Sequence, residues 1–310
     1  MPTKPSISEE DFPEIISDYD LGRYQSYKTF ANGAGQTTIL LETSKGKFVL
    51  RYYENRSEKH VLFEIDLFNF LRSKNYPVPA IVKNIEGKYW GSYKGKPFII
   101  IGYIAGEHCK NPNDSLDTDS LSKIIKIVAL LHVLTLNHSE FAKEREPFDV
   151  EYCWREYKKH SRQSNEEREN WLRKELDKLE FLDSLPKGIC HADLNYGNFL
   201  FKNGEIVAVL DFDMSFYTSL IYDVASLIYW WAWPPQKKLK MEEAKFIVSE
   251  YIKSRSLSEI EKMHIYDALK LIILLGISWS DEGDFEQGKE NVSFLNSVGR
   301  TGFYDKLFTH

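Results

Sequence analysis

The chain has 310 residues, 43% of them hydrophobic, which is enough for two domains of ordinary size with filled cores. Its 40 basic and 46 acidic residues are spread along the sequence and give a formal net charge of −6. It has no basic footprint to hold a phosphate backbone, so nucleic acid is not an expected partner. The three cysteines, Cys109, Cys153 and Cys190, are odd in number and far apart. That argues against a disulfide framework or a zinc site and for a reducing cytoplasm.

The stretch MPTKPSISEEDFPEI lacks the apolar core of a secretory signal and is too acidic for a mitochondrial transit peptide. From about residue 24 to 53 the pattern is extended. TTILLET and KFVLRYY, separated by Ser44, Lys45 and Gly46, predict two antiparallel strands joined as a hairpin. Val61, Leu62, Ile65, Phe68, Phe70 and Leu71 recur at helical spacing before Pro77 and Pro79, predicting a helix over 57–73. GKYWGSYKGKPFIIIGYI reads as a second hairpin, its second strand apolar throughout, as a strand covered on both faces would be.

After Gly106 the character becomes helical. Leu121, Ile124, Ile125, Val128, Leu131 and Leu134 mark an amphipathic helix from near Ser120. One long charged helical region covers WREYKKHSRQSNEERENWLRKELDKLEFL, and further helices are expected at 219–232, 241–253 and 258–279. Two short strands, 198–202 and 206–210, are joined by a turn at Asn203 and Gly204. The apolar runs at 98–105 and 271–277 fall short of the roughly 20 residues that cross a bilayer, so no membrane partner is expected.

The stretch GICHADLNYGNFLF, residues 188–201, carries His191, Asp193 and Asn198 between apolar flanks, and the strand IVAVL then ends in Asp211, Phe212 and Asp213. The Asn203–Gly204 turn would bring Asn198 and Asp211 to one edge of a ribbon, with Asp193 on the loop leading into it. One carboxylate and one amide oxygen, with positions left open for phosphate and water, suit Mg²⁺. Asp193, offset from that pair, is placed to accept a proton from a hydroxyl.

H-x-D-x-x-x-x-N followed by an apolar strand and an Asp resembles the catalytic loop and metal-binding segment of the aminoglycoside phosphotransferase and choline kinase superfamily. The resemblance covers most of residues 25–235. It implies an α+β, protein-kinase-like fold of two lobes: an N-terminal antiparallel-sheet lobe that binds nucleotide over 1–105, and a mainly helical lobe, catalytic and acceptor-binding, over 106–310. It also implies ATP and Mg²⁺, with Asp193 as catalytic base, His191 orienting the loop, Asn198 and Asp211 on the metal, and Asp223 in LIYDVASLIYWW tying down the loop as structural support.

By the same resemblance, Arg51 in GKFVLRYYE stands where the family has the cation for the α- and β-phosphates, and Glu64 where the acid pairs with that cation. Gly33 and Gly35 in NGAGQTT lie where a phosphate-covering loop is expected, although a plain tight turn fits that stretch equally well. In FIIIGYIAGE, Gly102 and Ile104 would offer a carbonyl and an N–H to adenine. His132 lies on a largely apolar helix and is assigned no chemistry beyond a hydrogen-bond partner in the core.

LDSLPKGICHADL and IYDVASLIYWWAW are most similar to type II homoserine kinases, which implies a small hydroxyl-bearing acceptor, homoserine or a related amino alcohol. The C-terminal DALKLIILLGISWSDEGDFE lacks the R-F-x-x-x-R-like pattern of that group, so an aminoglycoside or choline-type acceptor stays open. Asp213, Trp279 and Asp281 are the candidate acceptor contacts. Asp281, Glu282, Asp284 and Glu286 form either an electrostatic site or a solvated loop after the last long helix. Tyr229, Trp230, Trp231, Trp233 and Trp279 form either a cation-π box or packing core. The alternative from another class is a nucleotide-binding protein without catalysis, which the joint presence of Asp193, Asn198 and Asp211 argues against. Oligomeric state is not readable from the sequence.

Overall fold

Alternating side chains decide which face of the first sheet is which. In the register of the strands, Ile39, Leu41, Leu50, Tyr52, Phe98 and Ile100 share one face, while Leu40, Val49, Arg51 and Ile99 share the other. The computed structural model describes residues 7–30, 36–109, 117–143, 145–160, 165–233, 238–279 and 282–309. In chain order its main elements are α1 (Phe12–Ile15), β1 (Tyr24–Thr29), β2 (Thr37–Thr43), β3 (Gly46–Tyr52), α2 (Glu58–Ser73), β4 (Gly91–Tyr93), β5 (Lys96–Gly102), β6 (Glu107–His108) and α3 (Thr118–Thr135). There follow α4 (Val150–His160), α5 (Glu166–Leu176), β7 (Lys187–Cys190), β8 (Phe199–Lys202), β9 (Glu205–Val209), β10 (Phe216–Ser219), α6 (Ile221–Leu227), α7 (Met241–Ser254), α8 (Glu259–Trp279) and α9 (Glu282–Phe308). This is the α+β, two-lobed kinase-like fold, with an antiparallel sheet followed by a mainly helical part.

The chain divides into two compact units, residues 1–107 with 200–210, and residues 108–199 with 211–310. In the first unit the five-stranded sheet runs in the order β1-β2-β3-β5-β4, every neighbour antiparallel. Phe12, Ile15, Ile16, Tyr19 and Leu21 from the N-terminal segment pack on the face that carries Leu41, Leu50 and Ile100. A buried side chain of this size contributes roughly 1.5–3 kcal/mol. The segment is therefore a structural layer, although its sequence shows no period. The opposite face carries Arg51, and Glu64 on α2 pairs with it. The ribbon β8-β9 turns at Asn203 (φ 54°) and Gly204 (φ 78°), two successive left-handed residues that suit a tight hairpin.

In the second unit, the two-stranded sheet β7-β10 pairs Cys190 with Phe216 and Lys187 with Ser219. Several elements among the described residues add to the sequence expectation. A third strand, β1, joins the expected hairpin. The long charged region is two helices, α4 and α5. Helix α6 passes into a π turn over 228–232. The stretch expected to be a loop after the last helix opens instead a further helix, α9, interrupted at Gly299 (φ 71°, ψ 165°) and packed on α8. Gly288 accounts for that packing: a Cβ there would lie 2.3 Å from Cγ1 of Ile277. Lys270 of α8 pairs with Glu175 of α5 at 2.7 Å, and Arg300 of α9 with Asp267 of α8 at 2.8 Å, so each buried charge among them has an opposite partner. No helix among the described residues is long and apolar enough to cross a membrane.

Candidate active site

The strand pair β7-β10 fixes where the motif begins and ends. Because Cys190 faces Phe216, the chain leaves the sheet at His191 and returns to it through Ser215. His191 is fully buried, and its ring lies 4.5 Å from that of Phe212. Ala192 follows in the left-handed region at φ 66°, a conformation that costs a β-carbon-bearing residue roughly 1–2 kcal/mol. Asp223, wholly buried near the start of α6, offsets that cost. One of its oxygens accepts the His191 N–H at 2.7 Å and the other the Ala192 N–H at 2.9 Å. Bonds from N–H groups to an ionised carboxylate are the strong kind.

His132 bridges Asp223 Oδ2 at 3.2 Å and the Tyr251 hydroxyl at 2.6 Å, so the core histidine has two partners. Cys190 completes a buried cluster with these groups, its thiol directed at the Ser219 carbonyl at 3.4 Å. Burial, followed by the charge of Asp223, pushes that thiol well above its ordinary pKa. The cluster is a hydrogen-bonded support for the loop.

Beyond Ala192, the Asp193 N–H donates to His191 Nδ1 at 3.3 Å. Asn195 donates its amide to Asp193 Oδ1 at 2.8 Å while accepting the Gly197 N–H at 2.8 Å, a local turn that closes on the aspartate. Asn198 Nδ2 donates to the Asp193 carbonyl at 2.7 Å and to Asp193 Oδ2 at 3.1 Å. Each carboxylate oxygen is thus held by one amide and keeps lone-pair capacity for a further donor. Trp231, on the π turn, donates its indole N–H to the Leu194 carbonyl at 2.9 Å, and His108 Nδ1 lies 2.6 Å from the Gly197 carbonyl.

Asp211 is itself left-handed (φ 61°, ψ 62°) and is the residue from which the chain turns into Phe212–Met214. Arg145, 7% exposed, sends Nη1 to the carbonyls of Phe212, Asp213 and Ser215 at 2.8–2.9 Å. In the first unit, Arg51 Nη1 lies 3.4 Å from Glu64 Oε1, and the Tyr53 hydroxyl donates to Glu64 Oε2 at 2.9 Å. Gly102 ends β5, its N–H donating to the Ala80 carbonyl at 2.9 Å, and Ile104 follows two residues later. Gly33, Gly35 and Asp281 lie outside the described residues.

The aromatic box does not form as one site. Trp231 is buried and spends its N–H on the catalytic-type loop, Trp233 packs edge-on to Phe294, and Tyr229 packs on Trp230. Trp279, 42% exposed, instead joins Phe148 and Tyr152, and Phe148 packs on Phe216 just past the Asp213 turn. Sequence reading missed Arg145, Asn195 and the Trp231 N–H. Arg145 sits in REPFD without periodicity, whereas Asn195 two residues before a glycine carried a turn signal.

The family profile described as "Phosphotransferase enzyme family" matches residues 26–246. The chain belongs to this family. With it, the chain is a small-molecule kinase. It is 27% identical over 272 residues to the homoserine kinase of Rhodopseudomonas palustris (strain BisA53), an alignment spanning 86% of this chain and 80% of that protein. Among solved structures, its fold is similar to the microcompartment-associated aminopropanol kinase (TM-score 0.68, 18% identity, 96% and 95% of the two chains). It is also similar to the amicoumacin kinase solved with AMP-PNP and Ca²⁺ (TM-score 0.64, 20% identity, 94% and 96%).

Proposed function

We propose that this phosphotransferase is an ATP-dependent, magnesium-requiring kinase that phosphorylates the hydroxyl of a small amino alcohol, homoserine or a close relative. The observation that carries the reading is the orientation of Asp193. Two amides grip its carboxylate, in a loop whose backbone is clamped by Asp223. In the reaction the acceptor oxygen forms a bond to the γ-phosphorus, the bond from that phosphorus to the bridging oxygen breaks, the hydroxyl proton passes to Asp193 and ADP leaves. A loose transition state needs the nucleophile oriented more than strongly deprotonated, and a carboxylate fixed on both oxygens supplies that orientation.

The residues at the far end of the loop fit a hard divalent cation. With Asn198 Nδ2 committed to Asp193, the other end of the same amide is an oxygen, and Asp211 adds a carboxylate, the donor set such ions take. Bound there, a magnesium ion would neutralise charge on the transferred phosphoryl group. His191 orients the loop from its buried side, and Asp223 holds it.

Arg51, fixed by Glu64, is assigned to the α- and β-phosphates, with Gly33 and Gly35 over them and the Gly102 carbonyl and Ile104 N–H at the adenine. The nucleotide side is 1–105 and the catalytic and acceptor side 106–310. Asp213, Trp279 and Asp281 are assigned to the acceptor, where an ammonium group suits the patch of Phe148, Tyr152 and Trp279. The names of the homoserine kinase and aminopropanol kinase relatives support an amine-bearing alcohol. The three cysteines, odd in number and widely spaced, support a cytoplasmic location.

The test is coupled detection of ADP release with Mg-ATP and a panel of homoserine, ethanolamine, aminopropanol, choline and aminoglycosides. Acceptor-dependent turnover with an amino alcohol, abolished in Asp193→Ala, is expected. Turnover only with aminoglycosides would overturn the acceptor. Nucleotide binding without turnover on any of them, unchanged in Asp193→Ala, would instead identify a binding protein.

A further inference from the structure

Arg145 lies between the short helical turn Ser139–Lys143 and α4, and no feature of the loop motif includes it. Its Nη1 donates to three main-chain carbonyl oxygens. They come from residues 212, 213 and 215, the turn that begins at Asp211. Convergent carbonyl oxygens repel one another, and a cation at their focus removes that repulsion. A planar guanidinium also fixes direction, as a flexible ammonium does not.

The same turn is closed by a second set of contacts that Arg145 does not supply. Ser215 donates both its N–H, at 3.1 Å, and its hydroxyl, at 2.7 Å, to the Phe212 carbonyl. Loss of Arg145 would leave those bonds in place and remove its own bonds to the carbonyls of Asp213 and Ser215. The turn would survive with its outer half released. Asp211 has the most to lose, since its left-handed backbone persists only while the surrounding chain over-determines it.

We infer that Arg145 is a positioning residue for the metal end of the site: by holding the carbonyls of residues 212, 213 and 215, it fixes the turn that aims the Asp211 carboxylate. The inference rests on Asp211 being a ligand of the divalent ion. Arg145 touches neither nucleotide nor acceptor in this role. Its effect is on how much divalent metal the enzyme needs, with acceptor affinity left nearly as it is.

The experiment needs no acceptor. Binding of a fluorescent ATP analogue is titrated with Mn²⁺ and, separately, Mg²⁺ for the wild type, Arg145→Met, Arg145→Lys and Asp211→Asn, with thermal unfolding recorded for each. The expected result is that Arg145→Met raises the half-saturating metal concentration tenfold or more, and that Arg145→Lys recovers part of the loss by restoring a cation without the planar fork. Binding of the metal-free analogue should stay within twofold of wild type. If Arg145→Met lowers the melting temperature but leaves both metal titrations unchanged, the residue is structural only and the inference is overturned. If Arg145→Met does not fold, Arg145→Lys decides alone, and an unchanged metal requirement there overturns it. Asp211→Asn separates the two readings: if that substitution leaves the metal requirement unchanged, the assignment of Asp211 has failed, whatever Arg145 does.

Discussion

Asn198 donates its side-chain amide to the carboxylate of Asp193 at 3.1 Å, and the same nitrogen holds the Asp193 carbonyl at 2.7 Å. One residue therefore fixes both the side chain and the backbone of the proposed base. Replacing it with alanine should lose orientation as well as the proposed metal ligand, so Asn198→Ala is expected to lower kcat by about 10²–10⁴, as is Asp193→Ala. The two should differ in nucleotide binding. Asp193→Ala is expected to leave Mg-ATP affinity within a fewfold of wild type, and Asn198→Ala to weaken it, which equilibrium binding of the nucleotide measures directly.

Glu64 is wholly buried between Arg51 and the Tyr53 hydroxyl. Glu64→Leu removes a buried counter-charge of the arginine, and removing one partner of such a pair costs about 3–5 kcal/mol. Chemical denaturation should show most of that loss. If Arg51 holds phosphate, the KM for ATP should also rise while the KM for the acceptor moves little; an unchanged KM for ATP would leave the pair a purely structural one.

Helix α9 gives a sharper test of packing. Gly288→Ala drives a Cβ into Ile277 of α8 and should destabilise by about 1–3 kcal/mol, whereas Gly302→Ala, with only Val298 Cγ1 at 3.5 Å, should gain about 0.5–1 kcal/mol from reduced chain freedom. Opposite shifts in thermal midpoint for two Gly→Ala changes on either side of the Gly299 break would establish that α9 docks as described. Equal shifts would refute it.

The cysteines give a labelling test. Burial, partly offset by the hydrogen bond with Ser278, pushes the Cys153 thiol up to about 12, and the Cys190 thiol is also pushed up by burial. Neither is ionised at pH 8, and neither is accessible, so iodoacetamide should modify the half-buried Cys109 in the native protein and all three after unfolding. Mass spectrometry of native samples counts the labels. Rapid modification of Cys190 would mean that the β7-β10 pair opens readily.

The loop motif was legible in the sequence because its chemistry needs fixed residue types at fixed spacing. The strands β2 and β3 were legible as β-branched and aromatic runs around a turn, and β5 as an apolar run of the kind a strand covered on both faces carries. Asp223 was found through the family, but its two bonds to consecutive N–H groups were not readable, since they depend on Ala192 turning left-handed. The aromatic run 229–233 left box and packing core both open for a related reason: a π turn re-aims the rings, and Trp231 ends up holding the loop. Helix α9 was obscured by DEGDFEQG, whose charges and glycines read as loop when Gly288 is in fact there for close contact with α8. Arg145 acts on carbonyls, which carry no sequence identity, so nothing in the motif pointed to it.

The N-terminal layer has a practical corollary for anyone engineering this enzyme. A clone trimmed to the span shared with the family, starting at residue 26, would discard Phe12, Ile15, Ile16, Tyr19 and Leu21 and leave the side chains beneath them open to water. Such a shortened protein would keep every residue of the loop motif and still be a poor catalyst to purify, because wetted oily surface of that kind drives self-association.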